Sequence, residues 1–83
     1  MGEKEIGVIS RYFAKIDVAA IILNDELKIG DNIRIQGATT DFEMRVSSMQ
    51  INRENIEEAK SGQEIAIKVP ERVREKDKVF LIE

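Results

Sequence analysis

The sequence contains no cysteine, no histidine and no tryptophan, a single proline, and only one tyrosine and three phenylalanines. Without cysteine there is neither a disulfide framework nor a thiolate zinc site. Without histidine the commonest general base, the commonest metal ligand and the usual near-neutral pH switch are lost together. The short Asp and Glu clusters lack the spacing of an EF-hand loop, so no metal is expected. A GxxxxGK[ST] phosphate loop is missing as well, so GTP binding is not expected, nor any other cofactor. Long apolar runs are also lacking. The longest, at 18–23, is far short of the ~20 residues that a membrane helix requires. The start, MGEKEIG, is charged and has no apolar signal core, which makes a cytoplasmic, membrane-free protein the expectation.

What is present is a small globular composition. At 83 residues the chain reads as one domain over 1–83, burying about 60–65% of its unfolded surface. With 42% hydrophobic and 35% charged residues it is neither disordered nor membranous. Thirteen basic against sixteen acidic residues give a net charge of -3. Nucleic-acid-binding domains are usually basic, because they neutralise phosphates, and this balance argues against a general RNA binder. Abundant Glu, Lys and Ile would suit a heat-adapted source.

Period-2 alternation dominates the pattern. In the stretch 27–37, LKIGDNIRIQG, the pair Gly30-Asp31 signals a turn, Ile33 and Ile35 share one face, and Arg34 and Gln36 share the other. Residues 5–16 read as a first strand whose apolar phase switches between Ile6/Val8 and Ile9/Phe13, which predicts a bulge or bend. Residues 18–23 are apolar on both faces, read as a covered strand and alternatively as one whose outward residues meet a partner. A hairpin turn is expected at 38–41. The strand after it changes phase between Val46 and Met49, which predicts a bulge or sharp bend at Ser47-Ser48. Residues 52–59 look like a single helical turn with Asn52 as N-cap and Ile56 and Ala59 facing inward. Gly62 suits a turn or left-handed cap. Ile65, Ile67 and Val69 alternate cleanly up to Pro70, which stops the strand. A charged link, a turn at Asp77 and a final strand over 78–82 complete the chain.

No pattern is long enough for a βαβ crossover, so the architecture should be all-β and antiparallel. A sheet of about six short strands would remove its edges by closing, so a small Greek-key β-barrel with one short helical turn is expected. A two-sheet sandwich is the alternative.

The order of these pieces resembles the second domain, a β-barrel, of elongation factor Tu and related translational GTPases. The resemblance rests on Leu27, Lys28, Gly30, Asp31, Ile33, Ile35 and Gly37. It continues through Val46, Ser48, Met49, Gln50 and Ile51, then Ile56, Ala59, Gly62, Ile65 and Ile67, and finally Asp77 and Val79. Tyr12-Phe13, Lys15-Ile16, Val18-Ala19 and the run from Thr39 to Phe42 look most like small stand-alone elongation-factor-like proteins. A similar barrel also looks like the C-terminal piece of some collagenase-like peptidases, although no stretch reads as a peptidase domain. The resemblance implies a barrel that, in the larger factors, packs on a GTPase domain and helps hold the aminoacyl end of tRNA. The matching residues are turn glycines and core aliphatics, and none transfers a binding role by motif.

Two surface patches are the candidate binding sites. Arg72 and Arg74, with Lys76 and Lys78, lie two apart, and an extended backbone would align them toward a phosphate chain or an acidic partner. The interleaved Glu71, Glu75 and Asp77 favour a solvated mixed-charge loop. The second patch is the 37–42 loop, with Thr39 and Thr40, beside Arg34 and Arg45. The two threonines are better read as hydrogen-bonding their own turn. The leading expectation is a non-catalytic binding module of the translation machinery, contacting tRNA, the ribosome or a translation factor. A protein–protein adaptor or separate subunit is the alternative, and a carboxylate enzyme ranks behind both. Monomer is the expected state.

Overall fold

A computed structural model describes residues 2–83 and contains strands alone. In chain order they are β1 (Glu3–Phe13), β2 (Val18–Leu23), β3 (Leu27–Lys28), β4 (Asn32–Gln36), β5 (Asp41–Arg45), β6 (Met49–Ile51), β7 (Glu54–Ile56), β8 (Glu58–Ala59), β9 (Glu64–Lys68) and β10 (Lys78–Ile82). Eight form one antiparallel sheet in the order β5-β4-β10-β1-β2-β9-β6-β7, and β3 pairs with β8 in a separate two-stranded ribbon. The fold is therefore all-β. The expected helical turn at 52–59 is absent. Asn52 and Arg53 both adopt positive φ, at 52° and 67°, and they join β6 to β7 as a two-residue hairpin with Ile51 opposite Glu54. Two consecutive positive-φ residues suit a primed turn, whose twist matches that of paired strands, and this competes with helix at an Asn. The inward placement still holds: Ala59 is buried and Ile56 half-buried.

Closure into a barrel also needs correction. Among the described residues no ladder joins the end strands β5 and β7, so the sheet is open. Its two ends are bridged by the 29–31 turn instead. The Gly30 N–H donates to the Val46 carbonyl at 2.7 Å, the Val46 N–H donates to the Asp31 carbonyl at 2.9 Å, and the Ile29 N–H donates to the Glu57 carbonyl at 2.9 Å. Val46 follows β5 directly and Glu57 follows β7 directly. Gly30 reaches this position at φ 97°, where a side chain would be strained.

The core lies on one face of the sheet. Ile6, Ile9, Ile21, Leu23, Ile33, Ile35, Met49, Ile65, Ile67 and Val79 are almost fully buried there, joined by Leu27 and Val73. Alternation along β4 and β9 sends Ile33, Ile35, Ile65 and Ile67 inward, as the sequence pattern requires. A register shift in β1 between Glu5 and Gly7 lets Ile6 and Ile9 both face the core, and a second follows between Ile9 and Arg11. The bend expected at Ser47-Ser48 is also found. The ladder of β5 with β4 ends at Arg45, and β6 begins at Met49 with new partners, β7 and β9.

Candidate functional site

Turns place most of the candidate residues, and the ion pairs around them decide what is left for binding. Arg34 extends from the outer face of β4. Its Nε donates to Asp41 Oδ1 at 2.8 Å, its Nη2 to Asp41 Oδ2 at 2.9 Å, and its Nη1 to Glu3 Oε2 at 3.1 Å. The bidentate Asp41 contact and the Glu3 contact hold the Arg34 guanidinium protonated well above its ordinary range. The same bond, ahead of the plain charge attraction, draws the Asp41 carboxyl below the usual carboxylate range. Lys4–Asp25 and Lys78–Glu5 are further surface pairs around β1. Arg34 therefore ties β4, β5 and β1 together.

Thr40 is buried, and its carbonyl accepts the Gly37 N–H at 2.7 Å, closing the β4–β5 hairpin. Thr39 is exposed at the tip of that hairpin. Arg45 is exposed at the opposite end of β5, across from Asn32. The hairpin thus brings Arg34, Thr39 and Thr40 to one end, and Arg45 stands apart. Arg72 and Arg74 are exposed on either side of the buried Val73. The row does not continue through Lys76, because a turn intervenes: Lys76 has φ 74° and the Asp77 N–H donates to the Arg74 carbonyl at 3.1 Å. The six residues lie in three separate places.

A different surface, only partly flagged by the sequence, has the character of a contact site. On the outer face of β1, β2, β9 and β6, Ala20 is cross-strand from both Arg11 and Ala66, and Ala66 is cross-strand from Gln50. Two alanines side by side leave a shallow trough where the neighbouring face carries long ion pairs. The cleft has a volume of about 430 Å³, and Arg11, Phe13, Gln50, Asn52 and Glu64 help to line it. Phe13 at one end is 43% exposed, Ile16 at the hairpin tip 59%, and Ile22 further along β2 45%. The tip is held by Asp17, which has φ 54° and accepts the Tyr12 hydroxyl at 3.2 Å. Ser10 donates to Glu64 Oε2 at 2.6 Å across the trough's flank. Unbroken alternation would keep Phe13 in phase with the buried Ile9. The register shift after Ile9 turns it outward instead.

Comparison with known proteins corrects the family expectation. No protein-family model matches the chain. The chain is 46% identical over 79 residues to an uncharacterized protease of Methanocaldococcus jannaschii, covering 94% of this chain and 19% of that protein. It is 39% identical over 72 residues to a collagenase of Porphyromonas gingivalis, covering 84% of this chain and 20% of that one. The chain thus spans about a fifth of the length of the curated relatives it matches. Among solved structures, the C-terminal domain of a protein described as a U32 peptidase, from Geobacillus thermoleovorans, superposes with a TM-score of 0.90 at 13% identity. That match covers 96% of this chain and 93% of the other. The selenomethionine variant of the same domain gives 0.87 at 14% identity.

These findings overturn the elongation-factor-like assignment and, with it, the reading as a non-catalytic translation module. The adaptor alternative receives no support, and the view that set enzymes aside gives way to relatives named protease and collagenase. The physical reason is that the quoted motif is made of turn glycines and core aliphatics. Such residues specify strands and turns and are shared by unrelated proteins with similar sheets. Over nearly its whole length the chain is similar to one stretch of proteins named protease and collagenase, and it has the fold of a U32 peptidase's C-terminal domain.

Proposed function

We propose that this chain acts in proteolysis, as the C-terminal-type β-domain of a U32-type peptidase, and that it contributes to cleavage of polypeptide substrates as part of that enzyme. The observation that supports this most is the coincidence of two matches. Some 94% of the chain corresponds to about a fifth of a protease at 46% identity, and the same residues superpose on an isolated peptidase C-terminal domain with a TM-score of 0.90. A domain with its own buried core and fixed turns is the kind of unit that larger enzymes carry as a separate body.

The test is a replacement. The stretch of the Porphyromonas gingivalis collagenase that matches this chain is exchanged for the whole chain, and hydrolysis of gelatin is compared with that of the parent enzyme. Turnover within about tenfold of the parent, roughly 1.4 kcal/mol in barrier, is expected if the domain serves the same role. A chimera that is folded by circular dichroism yet cleaves no more than a chimera carrying an unrelated β-domain would refute the reading.

A further inference from the structure

Resting on that reading, we propose that the trough on the outer face of β1, β2, β9 and β6 is where the remainder of the peptidase docks, with Phe13 and Ile22 as apolar anchors and Arg11 as the charged contact. Among the described residues, three of the four large hydrophobic side chains exposed to solvent, Phe13, Ile16 and Ile22, belong to the β1–β2 hairpin. An outward-facing sheet normally carries polar residues at such positions. Here the outward positions of neighbouring strands are Ala20 and Ala66, small enough for a partner's side chains to reach the sheet itself. A single exposed aliphatic needs no explanation, but apolar groups grouped around a cleft mark a contact surface.

The occupant follows from size and charge. About four-fifths of each curated relative lies outside the stretch matched here, so in such a protein a much larger body accompanies this domain. Contacts between domains of one chain are mixed in polarity, and the trough has that mixture, with Arg11, Gln50 and Glu64 around its apolar floor. Glu64 is engaged by Ser10. Arg11 makes no ion pair among the described residues. The docking patch on the partner body should therefore be apolar, with a carboxylate opposite Arg11. Covalent linkage keeps the two bodies at a high effective concentration, so a contact of modest area suffices. On the other outer face, across β4, β10 and β1, the charged side chains Arg34, Asp41, Glu3, Glu5 and Lys78 are already paired with one another among the described residues.

Side-chain footprinting by hydroxyl radicals tests the placement. The chain on its own and the collagenase chimera are labelled in parallel, with Ile29 as an internal reference on another part of the surface. Labelling of Phe13, Ile16 and Ile22 should fall at least about threefold in the chimera, as expected for residues entering an interface, with Ile29 unchanged. The double variant Phe13→Asp/Ile22→Glu should restore labelling at Ile16 in the chimera while the isolated domain keeps its melting temperature, since both positions are exposed. Equal labelling of Phe13 in the two contexts overturns the proposal, as does protection confined to another face. Protection of Phe13 that appears in the isolated chain as its concentration rises also overturns it, in favour of self-association. Loss of gelatin hydrolysis in the chimera with Phe13 still protected would count against the proteolytic role and leave the docking face standing, so the two failures are distinguishable.

Discussion

Replacing Gly37 by alanine probes the tightest approach in the molecule. A Cβ at Gly37 would overlap the carboxylate of Asp77. That carboxylate is almost fully buried and accepts the Arg74 N–H at 2.9 Å, which shapes the turn before β10. The same turn donates the Lys76 N–H to the Ile9 carbonyl and accepts the Ile9 N–H at the Asp77 carbonyl, both at 2.8 Å. An added methyl therefore has only two outlets: the β4–β5 hairpin shifts, or Asp77 swings away and its bond to Arg74 is lost. With overpacking at about 1–2 kcal/mol, the lower part of its usual range, and a lost bond to a partly solvated N–H at about 1 kcal/mol, Gly37→Ala should cost about 2–3 kcal/mol. In a domain of this size that corresponds to a fall in Tm of about 10–20 °C. Urea unfolding followed by circular dichroism measures the cost directly. The decisive comparison is made in the Asp77→Ala background, where the obstructing carboxylate is gone and Gly37→Ala should cost less than about 1 kcal/mol, leaving a coupling of about 1–2 kcal/mol. If Gly37→Ala is neutral, or costs the same with and without Asp77, the close approach is not what constrains this position.

Other outcomes follow from turn geometry and charge. Arg53 stands at φ 67° in the β6–β7 hairpin, a conformation that glycine adopts without steric cost. Arg53→Gly should therefore raise stability by about 0.5–1 kcal/mol in the same unfolding assay, and a loss of that size would contradict the turn assignment. The Asp41 carboxyl is held below its ordinary range by Arg34. Its contribution should be complete above the unfolded-state value of ~3.9 and decline as pH falls through the lower folded value. Stability curves of the parent and Asp41→Asn should accordingly converge between about pH 5 and pH 2, more closely in high salt because the pair is solvent-accessible, and parallel curves would exclude the linkage.

The strands were legible where side-chain alternation was regular. Ile33 and Ile35, and Ile65 and Ile67, declared their buried faces because a two-residue period has one physical solution in a half-buried sheet. The phase breaks in β1 and at Ser47-Ser48 were readable for the same reason, since an extra residue reverses every later side chain. The hairpin at Asn52-Arg53 was misread as a helical turn. Asn serves both as a helix cap and as a left-handed turn residue, and residues 52–59 are too few for periodicity to decide. Phe13 could not be placed, because the side of the sheet it faces depends on which residue of β1 is bulged. The family was misjudged for a related reason. Gly30, Gly62 and the aliphatics between them encode how the chain turns and packs, and the exposed positions that would distinguish one role from another follow no periodic rule. Arg34 was singled out correctly as an outward residue, but its partners Glu3 and Asp41 become neighbours only when β1, β10, β4 and β5 are assembled.

The bridge at residues 29–31 has a consequence for how the molecule moves. Each of the central strands β10, β1, β2 and β9 is held on both sides by ladders, and releasing one breaks the whole structure. At the junction of β5 and β7 a few backbone hydrogen bonds carry the connection. That junction is a seam along which the sheet can part while its interior stays intact, so excursions from the native state should begin there. Amides of Ile29, Gly30 and Val46 would then exchange with solvent through a partial opening of lower free energy than the one that releases Ile21. The turn that first stood out as a local signal thus sets the least costly way for this fold to open.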